Sequence, residues 1–224
     1  MRAVALMVGG FATVVVALAV LVASAPAAPT AEVVRNGQGW TCSGPVDLDL
    51  VKVTNPPGDA IVLAAGCTGR IARIEIDTRS QDGVKIQNTR NAAHDVTISG
   101  GYVKCTGINP PSAHQDAVQA MGGQRITFRG VTFDCLGNSN FFVNRAGSGS
   151  GTPTDIVCDG CSFGAKSSTT VRVNVSVRSG VRNSQGCVGR NVRQAFYFTR
   201  SAVQPVNTGN VTVPGSDPLC ERTR

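Results

Sequence analysis

Three polar residues in the middle of the chain are of types that can take part in acid–base chemistry. His114 and Asp116 flank Gln115 in the hexapeptide His-Gln-Asp-Ala-Val-Gln, and Arg145 follows in the next repeat unit. Asp116 could bind calcium or orient a base, and His114 could donate a proton. Arg145, Arg129 and Lys104 are the candidate bases. We predict His114, Asp116 and Arg145 as catalytic residues. The plainer alternatives are a solvated turn histidine, a turn-capping aspartate and an exposed arginine.

Short alternating strands must position these residues. From Ile71 onward, apolar positions alternate with polar ones between turns rich in Gly, Asn, Ser and Thr, which indicates strands and no helix. The best-matched segments begin 22, 30, 30, 25 and 30 residues apart, at Ile74, Val96, Ile126, Ile156, Val181 and Val211. A repeat of this length favours a parallel β-helix, a solenoid of stacked turns, over an antiparallel sandwich.

The chain divides into four segments. Residues 1–28 have Arg2, an apolar run and small residues at the exit, as in a signal peptide, although a retained membrane anchor is the alternative. Residues 29–70 are expected to form an N-terminal cap and residues 71–214 the β-helix, leaving 215–224 as a C-terminal tail. The mature protein is therefore expected to be secreted and extracellular, with no membrane contact after cleavage.

Eight cysteines in an exported chain predict disulfides. A Cys42–Cys67 bond would staple the cap. Cys105 and Cys135 occupy the same place in successive units, where stacked backbones are close enough for a bond. Cys161 and Cys187 form a second candidate of this type. Cys158 could then pair with Cys220 or pack unpaired in the core. A metal site at Cys158-x-x-Cys161 is the weaker alternative, because no second such pair exists, and no metal ligands are predicted.

A second set of residues predicts a binding surface. If the apolar residues of one series of strands point into the core, their neighbours point outward along one sheet: Lys85, Gln119, Phe142, Arg172 and Tyr197. Amides, cations and aromatic rings in a line suit an extended glycan. A merely solvated sheet face is the alternative.

The net charge of +7 favours polyanionic partners. The charge is spread along the chain, aromatic residues are few, and no recognition-helix pattern is present. Nucleic acid is therefore not expected, and an acidic polysaccharide is the expected partner.

The repeat between Ile71 and Val213 and the hexapeptide at His114–Gln119 resemble the pectate-lyase-like superfamily, in particular exported actinobacterial proteins with the motif His-Gln-Asp-[Gly/Ala]-[Ile/Val]-Gln. The resemblance implies an all-β, right-handed, single-stranded parallel β-helix. It also implies one of several roles, because the superfamily includes polysaccharide lyases, hydrolases, epimerases, adhesins and inactive binders.

Two enzymatic readings can be compared through this resemblance. A two-carboxylate hydrolase would need an acidic pair in the following turn, which instead reads Asn138-Ser139-Asn140, so hydrolysis is disfavoured. A lyase would use an Arg or Lys base, with calcium as a possible cofactor held by acidic residues, although no dense acidic cluster is present. No other cofactor is expected.

We therefore expect a monomeric exported protein that acts on or binds an extracellular acidic polysaccharide, with lyase-type β-elimination as a possible activity. The alternative is a non-catalytic binding or structural protein of the cell envelope.

Overall fold

Parallel strands stack in about six turns to form a β-helix. The computed structural model describes residues 31–89, 91–106, 114–146, 151–164, 170–187, 195–214 and 220. The expected signal peptide and most of the expected tail lie outside these ranges. Within them, no helix is long and apolar enough to cross a membrane.

The regular elements of the described residues are short strands. In chain order they are β1 (Glu32–Asn36), β2 (Trp40–Cys42), β3 (Pro45–Leu48), β4 (Leu50–Thr54), β5 (Ile61–Leu63), β6 (Thr68–Ile71), β7 (Ile74–Thr78), β8 (Val84–Ile86), β9 (His94–Ser99), β10 (Gly101–Cys105), β11 (Asp116–Ala120), β12 (Gln124–Arg129), β13 (Thr132–Cys135), β14 (Ser139–Val143), β15 (Thr154–Asp159), β16 (Ser162–Phe163), β17 (Val171–Val173), β18 (Ser176–Val177), β19 (Gly180–Arg182), β20 (Gln185–Cys187), β21 (Phe196–Phe198), β22 (Ala202–Val203), β23 (Val206–Thr208) and β24 (Val211–Val213).

Every third strand along most of the chain joins the same parallel sheet. Sheet 1 has eight strands in the order β1-β4-β7-β10-β13-β16-β20-β24, and sheet 2 has seven in the order β2-β5-β8-β11-β14-β17-β21. Sheet 3 has nine, with β3, β6, β9, β12 and β15 followed by β18 and β22, and with β19 and β23 beside them. This topology confirms the all-β parallel β-helix predicted from the repeat.

The core lies inside the three sheets because alternate residues of each strand point inward. In β7 and β12 the inward residues are isoleucines, Thr78 and Phe128, all fully buried. Phe128, Phe133, Phe141, Phe163 and Phe196 form a chain of ring contacts through the middle of the stack, with centroids between 5.5 and 6.4 Å apart. Ring packing of this kind adds to the hydrophobic stabilisation of stacked turns.

Residues 32–71 already follow the β-helical path. β1 pairs with β4, β2 with β5 and β3 with β6, all in parallel, and β4 continues directly into β7 of the same sheet. The boundary expected at residue 71 therefore falls within the solenoid. The segment expected to be a cap consists of its first turns.

Three disulfides link described residues. The predicted Cys42–Cys67 and Cys105–Cys135 bonds are confirmed, with Cα–Cα distances of 5.3 and 4.3 Å. The predicted Cys161–Cys187 bond is wrong, because Cys187 bonds to Cys220.

Cys161 and Cys158 are free and buried. Cys158 occupies the inward column of Ile98 and Phe128, and the Cys161 thiol lies 3.6 Å from the carbonyl oxygen of Phe128. The alternative of an unpaired core cysteine is therefore the correct one for Cys158. The three disulfides are typical of an oxidising compartment.

A column of left-handed residues marks one corner of the helix. Asp95, Arg125, Asp155 and Arg178 all have φ between 47° and 56°. They interrupt the pairing at equivalent places, since Gln124 pairs with His94 and the next paired residues are Ile126 and Val96. Their charges alternate: Arg125 and Arg178 each donate two hydrogen bonds, of 2.6 to 2.7 Å, to Asp95 and Asp155 respectively. We call this column the charge ladder.

Candidate functional site

His114 and Asp116 lie close together at the edge of sheet 2 where its strands begin. Asp116 begins β11 and is fully buried, while His114 is exposed. Asn138 lies between them: its Nδ2 atom donates to Asp116 Oδ1 at 3.1 Å and lies 3.3 Å from His114 Nδ1. Gln119 donates a longer bond of 3.4 Å to Asp116 Oδ2. The hexapeptide therefore forms a local polar cluster held by amides.

Two further aspartates belong to this edge and were not predicted. Asp82 Oδ1 accepts the backbone N–H of Asp116 at 2.9 Å, and Asp59 Oδ1 accepts the N–H of Asp82 at 3.3 Å. Each carboxylate thus caps the start of the strand in the next turn. We call Asp59, Asp82 and Asp116 the aspartate column.

The sequence held a signal for this column. Asp82-Gly83-Val84 and Asp116-Ala117-Val118 follow the same pattern, each preceded by glutamine, and Asp59-Ala60-Ile61 is a looser copy. Aligning the starts of the sheet 2 strands would have revealed it. The repeat that begins at Ile74, Val96 and Ile126 follows the strands of sheets 1 and 3, which do not contain these aspartates.

Lys85 neutralises part of the aspartate column. Its Nζ atom lies 3.4 Å from Asp59 Oδ2 and 3.5 Å from Asp82 Oδ2. The pKa of the Asp82 carboxyl is raised to about 7, chiefly because the side chain is buried, with only 3% exposed. The hydrogen bond from the N–H of Asp116 and the charge of Lys85 lower this pKa, whereas the charges of Asp116 and Asp59 raise it. Asp82 is therefore partly protonated near neutral pH.

Arg145 lies at the other edge of sheet 2. Asp116 pairs with Ser139 at the start of β14, whereas Arg145 comes two residues after Val143 at its end. The length of β14, about 13 Å at the ordinary rise per residue, separates the two places. The structure brings His114 and Asp116 together but does not bring Arg145 to them.

Two buried carboxylates lie side by side at this edge of sheet 2. Asp82 provides a second carboxylate beside Asp116, from the preceding turn and not the following one. Both side chains are buried: Asp82 Oδ1 accepts the backbone N–H of Asp116, and the Asp116 carboxylate accepts the side-chain amides of Asn138 and Gln119. The side chain of Gln115 is also buried, with no hydrogen-bond partner for either polar atom. Within the described ranges, no three His, Cys, Asp or Glu residues are grouped so as to hold a metal ion.

The predicted outward column on sheet 2 is present. Lys85 pairs with Gln119, Gln119 with Phe142, Phe142 with Arg172 and Arg172 with Tyr197, in five successive turns. We call these residues the sheet 2 column. Arg172 and Tyr197 are exposed, but Phe142 is only 8% exposed because the Arg172 guanidinium lies over it, 5.7 Å from the ring centroid. Phe142 is therefore a support for Arg172 and not an open stacking platform.

Comparison of the chain with protein-family models, with curated proteins and with solved structures found no match. The relation to the pectate-lyase-like superfamily thus stays a prediction that rests on the repeat and the hexapeptide. The fold itself rests on the observed strand pairing.

Proposed function

We propose that this protein is a non-catalytic binder of an acidic extracellular polysaccharide, and that the glycan lies along the sheet 2 column. The observation that carries the proposal is the paired register of Lys85, Gln119, Phe142, Arg172 and Tyr197 in five successive turns. Adjacent parallel strands are about 4.8 Å apart, so the exposed side chains of Arg172 and Tyr197 offer neighbouring contacts to an extended chain, while Phe142 supports Arg172.

The arginine of the column supports an acidic ligand. Among the described residues, the hydrogen bond that Arg172 donates is a long one of 3.4 Å to Asn174 Oδ1, and none of their carboxylates forms a salt bridge with it. By contrast, Arg125 and Arg178 on the charge ladder are each bound to an aspartate. A guanidinium held over a ring and left without an acidic partner can bind a uronate carboxylate with two hydrogen bonds.

The exposed tyrosine extends this surface by one turn. Tyr197 lies directly beside Arg172 in the register and is 41% exposed. An exposed aromatic ring can pack on the apolar face of a sugar while its hydroxyl contacts water or a sugar hydroxyl. Arg172 can therefore contact a carboxylate of the glycan, and Tyr197 can pack on the apolar face of a neighbouring sugar ring.

Replacing Arg172 and Tyr197 together by alanine tests the proposal. We expect affinity for polygalacturonate, measured by isothermal titration calorimetry, to fall about tenfold or more, since an ion pair and a stacked ring contribute roughly 1 kcal/mol each. Binding by wild type should also weaken with added salt, because the exposed charges are screened.

A matched control removes the same two residue types from other faces. Tyr102 on sheet 1 is 39% exposed and Arg178 belongs to the charge ladder, so the double variant Tyr102→Ala, Arg178→Ala has the same net charge as the test variant. Its affinity should stay within about twofold of wild type. Equal losses in the two variants would show that only net charge matters and would contradict the proposal.

The same preparation distinguishes binding from cleavage. Incubation with polygalacturonate, alginate and glycosaminoglycans, with and without calcium, should produce no ultraviolet absorbance of unsaturated uronates. If that absorbance appears in wild type and is lost in His114→Ala or Asp116→Ala, the proposal of a non-catalytic binder is wrong and the protein is a lyase.

A further inference from the structure

Lys85 belongs to the sheet 2 column and also contacts the aspartate column. Within the sheet 2 column it pairs with Gln119 of the next turn, and its side chain is 31% exposed. Its Nζ atom lies 3.4 Å from Asp59 Oδ2 and 3.5 Å from Asp82 Oδ2. The ammonium group at this end of the proposed glycan surface is therefore already bound by two carboxylates of the protein.

One of these two carboxylates changes its charge near neutral pH. The Asp82 side chain is 3% exposed, and its burial raises the pKa of its carboxyl to about 7. Asp82 is therefore neutral in mildly acidic solution and negative in alkaline solution. Because its Oδ2 atom faces Lys85 Nζ, this change takes place directly beside the ammonium group.

The ionisable groups that face Asp82 belong to three turns. Asp59 precedes β5, Lys85 lies on β8 and Asp116 begins β11. The charges of Asp116 and Asp59 raise the pKa of Asp82, whereas the hydrogen bond from the Asp116 N–H and the charge of Lys85 lower it. An anion that binds near Lys85 acts in the same direction as the two carboxylates, so it favours the protonated form of Asp82.

His114 also lies at this edge of sheet 2. Its ring approaches Asp116 through Asn138, whose Nδ2 atom lies 3.3 Å from His114 Nδ1 and 3.1 Å from Asp116 Oδ1. Residues 107–113, which lead to His114 and lie outside the described ranges, contain no ionisable side chain. Imidazole groups in general change charge between about pH 5 and pH 8, so a test must separate the effect of Asp82 from that of histidine.

We infer that mildly acidic conditions strengthen the binding of an acidic glycan to sheet 2, because protonation of Asp82 releases Lys85 to bind a glycan carboxylate. The inference adds regulation to the proposed function and rests on it. When Asp82 is negative, it holds Lys85 together with Asp59, and it repels a polyanion. When Asp82 is protonated, both effects end. By thermodynamic linkage, binding of the glycan must then take up protons near neutral pH.

The effect acts at one end of the sheet 2 column. Lys85 and Arg172 are separated by three steps of the register, through Gln119 and Phe142, which correspond to about 14 Å. This distance exceeds the Debye length of about 8 Å at physiological ionic strength. Protonation of Asp82 therefore adds a contact near Lys85 and leaves the contacts of Arg172 unchanged.

Replacing Asp82 by asparagine tests the inference. Affinity for polygalacturonate is measured by isothermal titration calorimetry at about pH 5.5 and about pH 8.5, and the glycan is ionised at both because ordinary carboxyl groups titrate near about pH 4. The ratio of the affinity at the lower pH to that at the higher pH should be about fivefold larger in wild type than in Asp82→Asn. At the higher pH, Asp82→Asn should bind more tightly than wild type.

Asp155→Asn is the matched control. It also changes one aspartate to asparagine, but on the charge ladder, where the hydrogen bonds from Arg178 hold the pKa of Asp155 below its ordinary value. Its affinity ratio should stay within about twofold of that of wild type. Both variants retain His94 and His114, so the charge changes of the two imidazoles cancel in each comparison.

Two further measurements test the inference if Asp82→Asn folds poorly. Lys85→Gln should show the same small affinity ratio as expected for Asp82→Asn, because no ammonium group remains to be released. Titrations at about pH 7 in buffers of different ionisation enthalpy should show proton uptake when the glycan binds to wild type, and less uptake in Lys85→Gln.

The outcomes separate this inference from the proposed function. Equal affinity ratios in wild type, Asp82→Asn and Lys85→Gln would overturn the inference, whereas loss of binding in Arg172→Ala, Tyr197→Ala would still support the proposed function. If that double variant binds as wild type does and the ratio still depends on Asp82, the surface at Arg172 is wrong and the inference stands. If wild type binds no polygalacturonate at either pH, both are wrong.

Discussion

Asp82 holds a buried carboxyl between two other carboxylates and one ammonium group. Its folded-state pKa of about 7 lies above the ordinary value of 3.8, so the folded protein binds this proton more tightly than the unfolded chain does. The stabilisation is complete below about pH 4 and is lost as the pH rises through about 7. Asp82 thus disfavours the folded state in neutral and alkaline solution.

Replacement of Asp82 by asparagine should remove this pH dependence. In wild type we expect the free energy of unfolding to decline between pH 4 and pH 7 by an amount on the order of a few kcal/mol, since each pKa unit corresponds to about 1.4 kcal/mol. Asp82→Asn keeps an acceptor for the Asp116 N–H. Its free energy of unfolding should decline much less over the same pH range. Urea unfolding at several pH values measures both slopes.

Asp95→Asn provides the control for that series. The Arg125 guanidinium holds the pKa of Asp95 below its ordinary value, so its stabilisation is present above about pH 4 and lost only at lower pH. The free energy of unfolding of this variant should decline between pH 4 and pH 7 as that of wild type does. If the free energy of unfolding of Asp82→Asn declines with pH as steeply as that of wild type, the prediction is contradicted.

Cys158 and Cys161 should be protected thiols. Both are buried and free, and burial together with the neighbouring Cys161 raises the pKa of the Cys158 thiol well above its ordinary value. Because the thiolate is the reactive form, a thiol reagent should label the native protein very slowly. Unfolding without reductant should expose two reactive thiols per chain, counted by mass after alkylation.

The variant Cys158→Ala, Cys161→Ala should show no labelling in the same assay. Wild type that remains unlabelled after unfolding would show that the two sulfurs are already bonded to each other. That result would refute the assignment of free thiols.

At the scale of elements, the charge ladder places four residues with side chains in a conformation that favours glycine. Arg125→Gly and Arg125→Ala both lose the ion pair with Asp95, but only alanine retains the left-handed strain, about 1–2 kcal/mol for a residue with a Cβ. We expect the glycine variant to be the more stable of the two by up to about 1 kcal/mol, as measured by urea unfolding.

Thr127, two residues further along β12, is the control position, where we expect the opposite order of stability. It has ordinary strand geometry, so Thr127→Gly should be less stable than Thr127→Ala by about 0.5–1 kcal/mol. If alanine is the better residue at both positions, the backbone at Arg125 does not carry the expected strain.

The elements were largely predictable from the sequence because side chains on a strand alternate strictly. Val118, Phe141 and Val171 point inward, and their neighbours Gln119 and Phe142 follow on the outer face as predicted. The left-handed column could not be predicted, because Asp95 and Arg125 look like ordinary polar residues between apolar ones. Their conformation follows from the corner that they occupy.

The site was less predictable than the elements. Arg145 looked close to Asp116 because it belongs to the next repeat, but repeats stack, and a residue at the end of one strand cannot reach the start of its neighbour. The contacts of Asp82 were not predicted because they join residues from three turns, and no single segment contains them.

At the scale of the whole molecule, the solenoid is stabilised by contacts between neighbouring turns, and the disulfides add constraints between them. The Cys105–Cys135 bond closes a loop with a sequence separation of 30. In the chain-entropy model, Cys105→Ala with Cys135→Ala should lower the free energy of unfolding by about 3–4 kcal/mol. Urea unfolding without reductant measures the loss.

Cys158→Ala with Cys161→Ala is the comparison for that experiment. It removes two buried sulfur atoms but no cross-link. Replacing the disulfide-bonded pair should lower the free energy of unfolding clearly more than replacing the free pair. Equal losses would mean that the disulfide contributes little beyond packing.

Because the charges of the charge ladder alternate in sign, they limit how many turns can be added to such a chain. Asp95, Arg125, Asp155 and Arg178 come from successive turns about 4.8 Å apart, so copying one turn alone would set two like charges side by side. Copying two adjacent turns together would keep every acid next to a base. Tandem duplication within this segment is thus favoured in even steps, and an engineered longer version should be assembled from pairs of turns.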